Sequence, residues 1–266
     1  QTQLDFVPVE SGATVNEAFI EKIEGATERL RVALPELADM ALAESLIEAY
    51  ASGVDVRVVT DVDHAMDAGA IALADAGVPL KLADAGVTYF EFSLGQDVSW
   101  QGDDVWMSEA FVVADGYQIV SATAAGDLDE GMRVLVEGHS QDLAEDLESE
   151  HVQLFGGTDA SSLTAYNSMA KSIVDARWAY PTEDDVVVEL WFGPQERLIK
   201  RVIDGAYRAR SSIWILTGQF SDEGLARALQ AKAGIVDVQV IVGAEHVSST
   251  FGPSSVLANE TPDVNK

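Results

Sequence analysis

The chain has four histidines and no cysteine, so imidazole chemistry rests on His64, His139, His151 and His246. His64 follows an apolar run and the acidic turn Asp61-Val62-Asp63, and His246 holds the comparable place after a second apolar run. Parallel sheets carry ligand sites at the carboxyl ends of their strands, and two histidines in such places could act as nucleophile and acid. The alternative is two surface-loop histidines, and neither has a lysine close in sequence. Asp61 and Asp63 with His64 also outline a divalent-metal set. Yet about one residue in six is Asp or Glu, and groupings such as Asp103-Asp104, Asp127 with Asp129 and Glu183-Asp184-Asp185 recur. No metal and no cofactor are therefore expected. His139 and His151 flank a helical stretch, where they are expected to cap or pack.

The elements that must hold these groups are legible from periodicity. Phe6 to Val9 reads as a strand, Asn16 as the N-cap of a helix carrying Ala18, Phe19 and Ile23, and Arg31 to Leu34 as the next strand. A helix is expected over Ala38 to Ala51 and a buried parallel strand over Val54 to Thr60. Helix Ala65 to Ala76 and strand Val78 to Leu82 follow, then strands at Thr88 to Phe92, Ala110 to Ala114, Tyr117 to Ser121 and Arg133 to Val136. Helix Gln141 to Leu154 closes this part. Of the five tryptophans, Trp191 and Trp214 are expected in the core and Trp178 in a structural place, while Trp100 and Trp106 could line a cleft.

An internal repeat organises the whole. Ile23-Glu24-Gly25-Ala26, Arg31 to Leu34, a helix and Val54 to Val59 match Ile203-Asp204-Gly205-Ala206, Ile213 to Leu216, a helix and Val236 to Val242. Each copy reads helix, strand, helix, strand. The expected division is a first half over 1–157, a Ser/Thr/Asp/Ala-rich connection over 158–184, and a second half over 185–266. Only 24 residues follow Val242, so no counterpart of the Ala110 strand is expected in the second half.

Residues 108–116, Ser-Glu-Ala-Phe-Val-Val-Ala-Asp-Gly, resemble the H-x-K-x-x-x-x-D cassette of the phospholipase D superfamily. The duplicated α/β halves, the stretch Leu190-Trp191-Phe192-Gly193-Pro194 and the segment Glu150 to Gly157 carry the same resemblance. It implies an α/β fold of two duplicated halves, each a mixed, mainly parallel sheet flanked by helices. It also implies that Ser108 stands where the family has its nucleophilic histidine and Ala110 where it has its phosphate-binding lysine, while Asp115 is retained. Thr123 is the remaining hydroxyl in the family's Gly-Ser-x-Asn stretch, which here reads Val120-Ser121-Ala122-Thr123. A serine without a neighbouring base, and an alanine without charge, cannot attack phosphorus or steady the developing charge. The resemblance thus points to a degenerate motif and a noncatalytic scaffold. A binding pocket is expected where the halves meet, near Ser108, Ala110, Thr123, Thr217, Gln219, His64 and His246.

A net charge of −29, from 45 acidic and 16 basic residues, suggests a halophile, since at molar salt the Debye length falls to about 3 Å and self-repulsion is screened. It argues against nucleic acid as a partner, because phosphates need Lys and Arg. The cluster Arg197, Lys200, Arg201, Arg208 and Arg210 reads as a solvated helix face. No apolar run approaches the roughly 20 residues that span a bilayer, and no leader opens the chain, so a soluble protein is expected, in a halophile cytoplasm or outside the cell after signal removal. The expected partner is a small molecule, a lipid headgroup or a protein, with a homodimer as a further possibility. Two rivals stand beside the binding module: a phosphodiesterase or transphosphatidylase completed by residues beyond Lys266 or by a partner chain, and the sugar-sensing effector domain of a TrmB-type archaeal regulator, which predicts a winged helix before Gln1.

Overall fold

A computed structural model describes residues 2–9, 12–84, 89–93, 96–100, 109–122, 133–156, 165–167, 180–182, 187–192, 198–217 and 222–242. Contacts divide the chain into two units, Gln1–Thr88 with Gln101–Phe192, and Tyr89–Trp100 with Gly193–Lys266.

The first unit is built on one eight-stranded sheet. Its strands are β1 (Gln3–Val9), β2 (Arg29–Ala33), β3 (Asp55–Asp61), β4 (Leu80–Asp84), β7 (Phe111–Ala114), β8 (Gln118–Ala122), β9 (Arg133–His139) and β10 (Ala165–Asn167), in the order β1-β9-β8-β7-β2-β3-β4-β10. The pairs β2–β3, β3–β4 and β4–β10 are parallel and the other four antiparallel, so six of the eight strands run in one direction. Strand β10 lies in the connection of the sequence reading and extends the sheet past β4. A hairpin of β5 (Tyr89–Ser93) and β6 (Gln96–Trp100) leaves this unit for the second.

Both faces of the central strands are buried, which is why β2 and β3 read as near-continuous apolar runs rather than as alternations. Helices α1 (Gly12–Glu24), α2 (Met40–Ala51) and α3 (Ala68–Asp75) supply Phe19, Ile23, Leu42, Leu46 and Leu73 to one face, where they meet Leu30, Val32, Val56, Val58 and Val112. Helix α4 (Gln141–Phe155) covers the other face with Leu143, Leu147, Leu154 and Phe155 against Ala33, Val59, Phe111 and Val113. Val32, Val56 and Val58 are fully buried, each worth about 1.5–3 kcal/mol of transfer free energy. Asp39 caps α2 by accepting from the amides of Ala41 and Leu42, and Ser140 caps α4 through Leu143. Asn16 is not an N-cap. Helix α1 already begins at Gly12, and the Asn16 amide donates instead to Asp39 Oδ2 at 2.7 Å, tying α1 to the start of α2.

The second unit repeats the central part of the first. Helix α5 (Leu198–Arg208), β13 (Ser212–Thr217), α6 (Glu223–Lys232) and β14 (Asp237–Val242) follow the order of α1, β2, α2 and β3. The short pair β11 (Tyr180–Pro181) and β12 (Val187–Val188) precedes them in the first unit. Register confirms the repeat, because Arg29 pairs with Asp55 and Ala33 with Val59, as Ser212 pairs with Asp237 and Leu216 with Ile241. Ile213, Ile215, Val238 and Val240 pack on α5 and α6. Trp214 departs from its expected core placement and is 73% exposed. The pleat turns it, with Leu216 and Ile241, to the face away from α5 and α6, and the equivalent face of the first unit is the one covered by α4.

Candidate functional site

The carboxyl ends of β2, β3 and β8 and the amino end of β7 meet at one edge of the large sheet, as the pairings Ala33 with Phe111, Ala33 with Val59 and Phe111 with Ser121 require. Ala110 sits there just before β7, 7% exposed, within the core on the α1–α2 face. Its carbonyl accepts from the Ala122 amide at 3.0 Å and from Ser121 Oγ at 3.0 Å, so the strand end is closed by its neighbour. Lys81, on β4 level with Val59, is buried on the opposite face, its ammonium 5.5 Å from the Phe155 ring centroid.

His64 ends the 3₁₀ turn that follows β3, two strands from β7 and thus roughly 10 Å across the sheet. Its Nδ1 lies 3.0 Å from Asp67 Oδ2, and the same carboxylate oxygen accepts from the Leu37 amide at 3.0 Å. Because a carboxylate only accepts, Nδ1 carries the proton and the lone pair of the neutral ring is on Nε2. Asp61, 2% exposed, accepts from the Asp63 amide at 2.9 Å and fixes the turn. Gly69 lets the loop close: its amide donates to Leu37 O at 2.9 Å, and a Cβ there would come within 2.4 Å of that oxygen. Sequence reasoning found His64 and missed Asp67, for which the only signal was the i, i+3 spacing. No group of three or more His, Asp and Glu side chains among the described residues is arranged to hold a metal ion.

Asp115 lies at the other end of β7, roughly 16 Å from Ala110 along the strand. It and Gly116 both have positive φ, 54° and 74°, as the tight turn from β7 into β8 demands. The Asp115 carboxylate accepts from the amides of Thr27, Glu28 and Arg29 at 2.8–3.2 Å and from Thr27 Oγ1 at 3.0 Å. Burial pushes its pKa up, but these donors outweigh burial and hold it below the ordinary carboxylate value. Its amide also donates to Arg29 O at 2.9 Å, and Arg29 in turn pairs with Glu148 of α4. Asp115 thus clamps the β7–β8 turn to the start of β2 and does not join the edge where Ala110 and His64 stand.

Of the other expected site residues, Thr217 closes β13 in the second unit and is half-buried, whereas Ser108, Thr123, Gln219 and His246 lie outside the described residues. So do Trp106 and Trp178, and the Trp100 side chain. His151 is a packing residue as expected, its Nε2 3.1 Å from Arg57 O and its ring stacked on Phe155. His139 ends β9 and stacks on Tyr117.

The family model described as "Cardiolipin synthase, PLD-like domain" matches residues 19–120, from α1 through the motif strand to β8. Residues 19–120 are thus similar to a phospholipase D-like domain. Its likeness to solved structures extends further at low identity. It superposes on the phosphatidylserine synthase of Haemophilus influenzae Rd KW20 with a TM-score of 0.55 and 14% identity, over 90% of this chain and 61% of that one. The polyphosphate kinase of Porphyromonas gingivalis gives a TM-score of 0.52 and 11% identity, over 91% of this chain and 38% of the kinase. Nuc from Salmonella typhimurium, a phospholipase D family member, gives 0.44 and 12%, over 59% of this chain and 95% of Nuc. No curated protein matches the sequence. This chain therefore spans less than two thirds of the synthase and the kinase, and at these identities the likeness concerns the fold. Among the described residues no helix is long and apolar enough to cross a membrane.

Proposed function

We propose that this phospholipase D-like chain is a noncatalytic binding module, with halves at 1–157 and 185–266 joined by 158–184. The observation that carries the reading is Ala110. The position that the resemblance gives to a phosphate-binding lysine holds a buried methyl group whose carbonyl is taken by Ser121 and Ala122. Phosphoryl transfer depends on cations placed against the nonbridging oxygens, and Ala110 supplies none, while Lys81 is engaged on the other face. What the edge retains is a hydrogen-bonding surface of Ser121, His64 and Asp67, suited to the polar end of a small molecule or lipid headgroup.

The rival reading, a phosphodiesterase completed by other residues, draws on the oriented His64 ring. Hydrolysis of bis-p-nitrophenyl phosphate in molar KCl separates the two. The binding module releases no nitrophenol above buffer, and its His64 ring protons shift on titration with phosphoserine or glycerol phosphate. Turnover that disappears in His64→Ala or His246→Ala would overturn the proposal.

A further inference from the structure

The acidic character of the chain stops at the second repeat. Residues 1–192 hold 37 acidic and eight basic side chains, whereas residues 193–266 hold eight of each. Five of those cations, Arg197, Lys200, Arg201, Arg208 and Arg210, fall within 14 residues that contain one acid, Asp204. Four of the five lie on or just after α5, where Lys200 pairs with Asp204 at 2.6 Å and Arg201 and Arg208 also lie close enough to help hold that carboxylate ionised.

Helix α5 joins this charge to exposed apolar side chains. Ile203 and Ala206 are buried and Ile199 packs beside them. At 100° per residue Arg201 and Arg208 stand opposite that stripe, with Leu198 and Val202 on one flank and Lys200 and Tyr207 on the other. Leu198 is 43% exposed, Val202 50% and Tyr207 51%. Solvation alone accounts for the cations but not for two exposed aliphatics one turn apart beside them. A helix lying in a membrane interface uses both, its apolar flank entering the acyl boundary while Lys and Arg meet anionic headgroups. Whether the Debye length is about 8 Å at 0.15 M salt or about 3 Å at molar salt, charge farther off is screened, so the local excess of positive charge acts at this surface in spite of the net charge of −29. A nucleic acid would draw on the cations and leave Leu198 and Val202 without a role.

We infer that the exposed face of α5 docks on an anionic phospholipid bilayer. The inference concerns the second repeat and stands apart from the edge that carries His64. Flotation with equimolar phosphatidylglycerol/phosphatidylcholine vesicles tests it, against phosphatidylcholine alone, in 0.15 M KCl with folding checked by circular dichroism. The wild type floats with the anionic vesicles only. Each cation near the surface contributes about fivefold in partition, so Arg208→Gln with Arg210→Gln lowers binding about 25-fold. Because the chain has no cysteine, a fluorophore on Val202→Cys reports insertion by a blue shift, and one on Asp75→Cys in α3 does not shift. Equal flotation with both vesicles, undiminished binding by the double variant, or no blue shift at position 202 overturns the proposal. Binding of a duplex or single-stranded oligonucleotide that the double variant loses, without vesicle binding, also overturns it and reassigns the face.

Discussion

The strand pair β2–β3 and the strand pair β13–β14 share one register and two covering helices, yet they differ in what lies on the far face. In the first unit α4 seals it, burying Ala33 and Val59, while β7 takes the free edge of β2. In the second, Trp214, Leu216 and Ile241 stay exposed, and among the described residues β13 pairs with β14 alone. A repeat therefore transmits register and one packed face, and the remainder of the sandwich depends on what each copy adds afterwards.

Matched substitutions give the largest expected contrast. Leu30 and Ile213 occupy equivalent places, the first fully buried and the second half-buried. Leu30→Ala should cost about 3 kcal/mol, as a cavity in a sealed core does, and Ile213→Ala about 1 kcal/mol. Equal losses in denaturant unfolding would mean that Ile213, between β13 and its two helices, is as fully sealed in solution as Leu30.

The helix that makes the difference also carries a titration signature. Burial first, then the nearby Arg31 cation, lowers the His151 pKa to about 3, whereas a backbone carbonyl of Arg57 partly offsets them. The folded pKa lies below the value of 6.5 expected in the unfolded chain, so only the unfolded state takes up the proton as pH falls from 6.5 toward 3. Stability should drop by up to about 1.4 kcal/mol per pH unit across that window and be unaffected by this group above it. Measurements between pH 6 and 4.5 avoid the lowered carboxylates of Asp55 and Asp115, whose contribution is lost only at lower pH. A His151→Gln chain with the wild-type slope would refute the assignment.

Smaller again is the clamp. Asp115→Ala strips one charged acceptor from three amides and a hydroxyl, and should cost about 2 kcal/mol. Asp115→Asn keeps the tolerance for positive φ and should lose less. No difference between the two by thermal unfolding would make the turn conformation, and not the carboxylate, the important element. The least effect belongs to the surface pair of α5, where Asp204→Asn should change stability by under about 0.5 kcal/mol, measurable only as a small shift in urea midpoint.

The strands β2, β3, β7 and β8 were legible because sealed strands are written as runs of Val, Ile and Leu, and the duplication was legible because both copies keep the Ile-x-Gly-Ala helix end and the Val-Asp-Val strand start. Trp214 was misread because an apolar alternation tells that a strand has two faces but not which one finds a cover. Asn16 was misread for a related reason: an amide before an apolar stripe is a fair cap until Asp39, 23 residues on, offers it a better acceptor. At the candidate site the motif positions were legible as chemistry removed. The Asp115 grip on residues 27–29 was not, since its partners lie 86–88 residues away, and the hairpin β5–β6 gave no sign that it belongs with the second repeat.

Among the described residues β1 pairs with β9 alone, and β2 waits for β7 on its open side. During synthesis β1 thus leaves the ribosome more than a hundred residues ahead of β9, and the middle of the sheet stays unzipped until residues 111–114 arrive. Such distant pairing slows folding and leaves strand edges available to the wrong partner until the later strands are made.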